Sequence, residues 1–233
     1  MQNKPTTLKI LDIVSILVLG ISTYLALFYA QTELVMGEVQ RVFYFHVATA
    51  WVAMLGFIAA IIPSIIYLIN QDHKWDRMEV AAIEISLVFF LITIVLGSIW
   101  GRIAWGTWWD WEPRLTTAAI TELIYIAYFM LRQGIDDPNR RARFGAVYTI
   151  IASISVPITF MSIRWAQART IHPVVIGAAN ANQDKLPLSP EMKVAFFFAL
   201  FAFTIIFSDL FWNRIRLGSL EDNVEQLKLK VTI

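Results

Sequence analysis

Six long apolar stretches, separated by short polar connections, constrain this chain more than any other feature. A helix needs about 20 apolar residues to cross the hydrocarbon core of a bilayer. Each stretch has about that length, and 58% of all residues are hydrophobic. Since backbone polar groups find no water in the bilayer core, each stretch is expected to be a helix rather than an open strand. The sequence therefore predicts an all-α integral membrane bundle of six helices, a single domain over 1–233, with spans at about 8–29, 42–69, 80–101, 115–131, 144–163 and 194–212.

Basic residues are distributed unevenly among the connections, and this asymmetry predicts the orientation. Twelve of the 19 Lys and Arg residues lie in the two terminal segments and in the second and fourth connections. Because cytoplasmic loops carry an excess of Lys and Arg, we expect both termini, including the tail 214–233, in the cytoplasm. The outer connections are then about 30–41, 102–114 and 164–193. The net charge of +1 predicts no nucleic-acid partner.

Five of the nine tryptophans lie between Trp100 and Trp111, where residues 105–116 read WGTWWDWEPRLT. One or two tryptophans at the end of a span would be an ordinary aromatic belt at the membrane surface. The density here instead favours a flat aromatic surface for a large planar ligand. If the stretch is helical, Trp105, Trp108 and Trp109 share one face. They would then form an amphipathic segment that lies along the outer membrane surface.

Three prolines predict local features of the helices. Pro63 and Pro157 fall inside spans, where a missing N–H and a steric clash kink a helix. Pro113 follows Glu112 and precedes the fourth span. Proline at the first helical position, with an acid beside it, suits a helix N-terminus.

Two of the three histidines are expected on the same outer face as the tryptophans. His46 lies at the outer end of the second span and His172 in the third outer connection, whereas His73 lies in a cytoplasmic connection. Two imidazoles on opposite sides of one iron make a six-coordinate haem site. The alternative for each is an ordinary hydrogen-bonded side chain. The chain has no cysteine, which excludes disulfides, thiolate metal sites and thioether attachment of haem.

Five arginines on the predicted outer side run against the charge asymmetry. Guanidinium groups pair with carboxylates in a bidentate fashion, so they suit the two propionates of a haem. The alternatives are salt bridges to the outer acids Asp110, Glu112, Glu33 and Glu38, or contacts with lipid headgroups. The five are Arg41, Arg102, Arg114, Arg164 and Arg169.

Four acids lie within the predicted spans, where a carboxyl group is costly and often functional. Asp12, Glu84 and Asp209 lie near the cytoplasmic ends, where we expect them to reach the surface or to pair. Glu122 lies nearer the middle of its span. Lining a haem path and bonding to a neighbouring helix are both open for it.

The segment 105–116 closely resembles the tryptophan-rich WWD signature of the haem-handling proteins of cytochrome c biogenesis. The chain, with six spans, His46 before the signature and His172 after it, is similar to the smallest of these haem-handling proteins, the cytochrome c maturation protein C (CcmC) family. The resemblance covers about 8–212. The family usually has Asp where this chain has Glu112.

The resemblance implies a non-enzymatic protein that binds haem b at the outer face of the plasma (inner) membrane. Its implied axial iron ligands are His46 and His172. The implied macrocycle contacts are Trp105, Trp108, Trp109 and Trp111, with Arg41, Arg114 and Arg169 at the propionates. Asp110 and Glu112 are the implied contacts with a partner.

That partner is a periplasmic haem chaperone of the CcmE type, which captures the haem covalently. ATP-binding-cassette subunits and a small membrane subunit (CcmA, CcmB and CcmD types) are the other implied partners. Other hypotheses remain open: a membrane b-type electron-transfer protein, a haem transporter or exporter subunit, and a transporter that binds no haem. The larger synthetase with the same signature has more histidines and more spans than this chain.

Overall fold

The computed structural model describes residues 3–33, 36–166, 169–172 and 188–231. Eight α-helices follow one another along these residues. They are α1 (Thr6–Tyr24, continued by a π-helical turn at Leu25–Tyr29), α2 (Gln40–Ala59), α3 (Ile61–Asn70), α4 (His73–Ala104), α5 (Pro113–Gln133), α6 (Pro138–Ala152), α7 (Ser155–Trp165) and α8 (Pro190–Val231).

These helices form six spans, which confirms the predicted helical membrane bundle. The described residues contain six helical segments that are long and apolar enough to cross a membrane. α2 with α3, and α6 with α7, each make one span. Helix α8 continues as a helix through the predicted tail to Val231. The lipid-facing surface is apolar, as shown by Ile16, Phe28 and Ile69, whose exposed fractions are 71%, 75% and 78%.

The two predicted kinks occur where the prolines remove backbone hydrogen bonds. A proline cannot donate to the carbonyl four residues earlier. For Pro63 that carbonyl belongs to Ala59, the last residue of α2. For Pro157 it belongs to Ser153, in the break between α6 and α7. Both interruptions therefore have the cause that the sequence indicated.

Consecutive spans run in opposite directions, so the connections fall into two sets. One end of the bundle, which we call the tryptophan end, contains the loop 105–112 after α4 and the described residues that flank it: 30–33 and 36–39 before α2, and 166 and 169–172 after α7. The first residues of α1 and the last residues of α8 lie at the opposite end, which we call the terminal end. Helix α4 joins the two ends and packs along much of its length against α2.

Close packing at the centre depends on Gly56 of α2. A Cβ atom at this position would lie 2.0 Å from Ser86 Oγ and 2.5 Å from the ring of Phe207. The absence of a side chain therefore lets α4 and α8 approach α2. At the next residue, Phe57, the ring stacks on that of Tyr125 with the centroids 3.8 Å apart, which brings α5 into the same core.

The terminal end is fixed by buried polar groups. Arg132 of α5 donates to both carboxylate oxygens of Asp76, at 2.6 and 3.0 Å. Glu79 is fully buried and accepts hydrogen bonds from the hydroxyls of Tyr128 and Thr149, at 3.0 and 2.7 Å. Because buried polar groups require partners, these bonds specify how α4, α5 and α6 meet.

The acids predicted to pair near the terminal end do so. Their contacts are Asp12 with Lys4 (2.5 Å), Glu84 with Arg214 (2.7 Å) and Asp209 with the amide of Asn213 (2.9 Å). Glu122 differs, since it is 7% exposed and its Oε2 has no hydrogen-bond partner among the described residues.

Candidate functional site

A cavity at the tryptophan end brings together residues that are far apart in the sequence. Its volume is about 60 Å³, and it is partly open to solvent. Helices α2, α4 and α5 form most of its wall, and the loop 105–112, Thr159 of α7 and His172 form the rest. The titratable and aromatic residues that line it are His46, Phe90, Trp100, Trp105, Trp109, Arg114 and His172.

His46 is held in one orientation by α4. Its Nδ1 lies 2.9 Å from the carbonyl oxygen of Thr93. A carbonyl can only accept, so Nδ1 carries the proton and Nε2 keeps its lone pair. This is the usual arrangement of a metal-binding histidine, whose second nitrogen donates to a carbonyl or carboxylate. Gly97 gives the ring its space, because a Cβ atom there would lie 2.8 Å from His46 Cε1.

His172 faces His46 across the cavity. The centroids of the two imidazoles are 6.4 Å apart and their planes are inclined by 36°. The ring of Trp105 lies on another side of His172, with a centroid separation of 6.0 Å. The two histidines are 126 positions apart, and the fold places them beside each other as the sequence predicted.

The tryptophans divide into two groups. After Trp105 the chain leaves the helix and turns at Gly106, whose φ is +77°. The expectation of a helical segment with Trp105, Trp108 and Trp109 on one face is therefore wrong. Trp105 and Trp109 line the cavity. Trp108 and Trp111 are 60% and 73% exposed and lie outside its lining.

The end of this loop is anchored by Glu112, which caps α5. Its Oε1 accepts from the backbone N–H of Leu115 at 2.6 Å, and Pro113 occupies the first turn, as predicted. Its Oε2 accepts from the hydroxyl of Thr170. Glu112 is 5% exposed, whereas Asp110 is exposed.

The predicted arginines occupy different positions relative to the cavity. Arg114 lines it, donates to the carbonyl of Thr159 at 2.6 Å, and lies over the ring of Phe160. Arg41 lies outside the lining and binds Glu38 and the carbonyl of Ala26. Arg169 is exposed on the segment that carries His172.

The ion pair between Arg41 and Glu38 also changes the pKa of the Glu38 carboxyl group. Hydrogen bonding from the Arg41 guanidinium, and then from the Thr32 hydroxyl, lowers the pKa of Glu38 below its ordinary value. Arg41 and Glu38 thus tie the connection before α2 to the end of the first span. Arg102, in the last turn of α4, donates to the carbonyl of Gly106 and so ties the start of the tryptophan loop to that helix.

Comparison with known proteins assigns the chain to a family. Residues 1–230 match the family model described as heme exporter protein C. The chain belongs to the heme exporter protein C family. It is 31% identical to the heme exporter protein C of Bradyrhizobium diazoefficiens over 83% of this chain and 72% of that protein.

Two other relatives cover still more of the chain. The heme exporter protein C of Haemophilus influenzae is 26% identical over 91% of this chain and 84% of that protein. The heme exporter protein C of Escherichia coli K12 is 28% identical over 88% of this chain and 81% of that protein. The match to heme exporter protein C thus extends over nearly the whole membrane bundle.

Three residues of the chain have roles at the site that sequence analysis missed. Thr93 accepts from His46, Gly97 makes room for its ring, and Thr170 bonds to Glu112. Thr93 and Gly97 lie on one face of α4, four residues apart. The local sequence shows only a glycine four residues after a threonine within a span. This pattern does not indicate that both residues contact His46.

Proposed function

We propose that this protein holds haem as cargo at the tryptophan end and presents it to a haem chaperone outside the membrane. The observation that carries the proposal is the approach of His46 and His172, with ring centroids 6.4 Å apart, in a cavity walled by tryptophans. Membership of the heme exporter protein C family supports haem as the ligand.

The spacing of the two imidazoles suits one iron between them. With nitrogen–metal bonds of about 2 Å, imidazoles on opposite sides of a metal have centroids about 6 Å apart. The proton on His46 Nδ1 leaves Nε2 as the donor to iron. His46 and His172 would thus be the axial ligands of a low-spin haem.

The macrocycle would lie partly in the cavity and partly across its mouth. The enclosed volume of about 60 Å³ is far below the roughly 300–1,000 Å³ of sites that engulf a small molecule. Trp105 and Trp109 would contact one part of the ring. Without cysteine thioethers, the haem would be non-covalent haem b.

Nitrogen donors at the cavity suit the propionates. Nε1 of both Trp100 and Trp109 is buried without a hydrogen-bond partner among the described residues. An unsatisfied buried donor is costly, and a carboxylate oxygen of a ligand would satisfy it. Arg114 supplies a charged donor in the same lining. The predicted propionate contacts of Arg41 and Arg169 stay predictions.

The exposed part of the tryptophan loop would receive the chaperone. Trp108 and Trp111 offer aromatic surface, and Asp110 offers a carboxylate beside them. Glu112 was predicted as a second partner contact, but its burial supports a role inside the protein. An open mouth and limited affinity would both favour transfer, because a ligand shifts to the partner only when the partner binds it better.

The remaining features of the proposal concern location and partners. The excess of Lys and Arg at the terminal end supports an inner-membrane protein with both termini in the cytoplasm. The tryptophan end would then face the periplasm. We propose a CcmE-type chaperone as acceptor, and CcmA-, CcmB- and CcmD-type subunits as further partners. The protein would act by delivery rather than as an enzyme.

Transfer to the chaperone tests this function. Purified protein loaded with haem is mixed with the CcmE-type chaperone, and the chaperone band is stained for haem after denaturing electrophoresis. We expect covalently loaded chaperone with the native chain and a slower transfer, by about tenfold, with Trp111→Ala. Trp165→Ala, which changes an exposed tryptophan outside the loop, is the control. Equal loading of the chaperone by free haem alone would contradict the proposal.

Gly97→Ala tests the support of His46. A Cβ atom at 2.8 Å from His46 Cε1 forces the ring to move. We therefore expect haem affinity to fall about tenfold, which is the lower end of the effect of removing a group that orients a metal ligand. Gly20→Ala is the control, because nothing lies within 4 Å of that added atom. The measurement is a haem titration followed by absorbance. Equal affinity of the two variants would argue against the role of Gly97.

A further inference from the structure

We propose that Glu112 and Thr170 form a latch that positions His172, so that the tryptophan loop and the second histidine move as one unit. This inference rests on the proposed function for the role of His172 as a ligand. The latch itself is a contact between two segments of the chain. Glu112 and Thr170 are therefore positioning residues, and neither needs to touch the haem.

One carboxylate connects three parts of the molecule. Glu112 Oε1 accepts from Leu115 N–H at the start of α5, and Oε2 accepts from the Thr170 hydroxyl. The Thr170 oxygen in turn accepts from the backbone N–H of His172 at 3.2 Å. The hydroxyl thus donates once and accepts once, and the chain of bonds runs from the helix terminus to the backbone of His172.

The environment makes these bonds strong. Glu112 is 5% exposed, and hydrogen bonds to a charged acceptor are about twice as strong as neutral ones. Among the described residues, a backbone bond also joins Arg169 N–H, in the segment 169–172, to the carbonyl of Ala166 at 2.7 Å. That bond holds the start of the segment, whereas the latch holds the end that carries His172.

Shortening the side chain of residue 112 distinguishes its contact with Thr170 from its capping of α5. Aspartate is a good N-cap residue, so Glu112→Asp retains an acceptor for the start of α5. Its carboxylate is shorter by one carbon–carbon bond, about 1.5 Å, and does not reach Thr170. Thr170→Val removes the same contact from the other side with little change of shape, and Thr170→Ser preserves the hydroxyl.

The experiment first measures the segment without haem. The chain has no cysteine, so Ile171→Cys, at a residue that is 45% exposed, provides a single thiol. We expect Glu112→Asp and Thr170→Val each to raise its maleimide-labelling rate, because either change frees the segment that carries the thiol. The double variant should label no faster than either single one, because both remove the same contact. Thr170→Ser should label like the parent.

Haem binding supplies the second readout. In the chain without the added cysteine, both latch variants should shift the ferric haem from low spin toward high spin, as His172 ligation weakens. An unchanged labelling rate in Thr170→Val, or additive effects in the double variant, would overturn the latch. If labelling responds as expected but the native chain binds no haem, the proposed function fails and the latch stands as a structural contact.

Discussion

Replacing either His46 or His172 with alanine is expected to abolish low-spin haem binding. Each variant leaves one imidazole at the cavity, and a single ligand gives a five-coordinate or water-ligated, high-spin iron. The loss of affinity should exceed the roughly 10–100-fold that follows removal of an outer partner of a metal ligand. Absorbance spectra of the oxidised and reduced proteins measure both the spin state and the occupancy.

His73→Ala is the matched control for these variants. His73 Nε2 lies 2.9 Å from Asn139 Oδ1 at the terminal end, away from the cavity. Its replacement should leave the haem spectrum unchanged. A native spectrum in both the His46→Ala and His172→Ala proteins would exclude them as axial ligands. A change of equal size in His73→Ala would show that the effect is not specific to the cavity.

Arg132→Met is expected to cause the largest loss of stability, about 3–5 kcal/mol in the free energy of unfolding. Arg132 and Asp76 form a bidentate pair whose side chains are only 12% and 13% exposed. Without the guanidinium, the Asp76 carboxylate loses its ion-pair partner beside the buried Glu79. Unfolding in mild detergent, followed by circular dichroism as denaturant is added, measures the change.

Arg77→Met provides the comparison for this effect. Arg77 pairs with Asp222 at 2.7 Å, but the two side chains are 27% and 53% exposed. Exposed pairs contribute no more than about 1 kcal/mol, since water and salt screen them. If both variants lost the same stability, the burial of the Arg132 pair would have no part in holding the terminal end together.

Much of the fold follows from local sequence properties. Apolar length predicts the six spans, and Pro63 and Pro157 predict the breaks within two of them. Pro113 and Glu112 predict the start of α5. These features depend on residues within one or two helical turns, where hydrophobicity, proline geometry and capping determine the structure.

The sequence predicted part of the cavity lining, namely His46, His172, Trp105, Trp109 and Arg114, but not its arrangement. Charge asymmetry and span number place His46 and His172 at the same end, and the structure has them facing each other. The tryptophan loop was misjudged, since helical spacing does not apply to a segment that turns at Gly106. The inward position of Trp105 involves contacts with Trp100, five positions earlier, and with His172, which is a tertiary contact.

Buried polar partners were also beyond sequence analysis. Glu79 was not among the acids expected to matter, yet it is fully buried and bonded to Tyr128 and Thr149 on two other helices. The contact between Glu112 and Thr170 spans 58 positions. No local pattern predicts pairs at such separations, because they result from how whole helices pack.

The electron paramagnetic resonance spectrum of the purified native protein with ferric haem tests the central claim most directly. Two imidazole ligands split the iron d orbitals strongly, so coordination by His46 and His172 predicts a low-spin signal from most of the bound haem. That signal should be absent when either histidine is alanine. A predominantly high-spin signal in the native protein, or no bound haem at all, would contradict a bis-histidine site in this cavity.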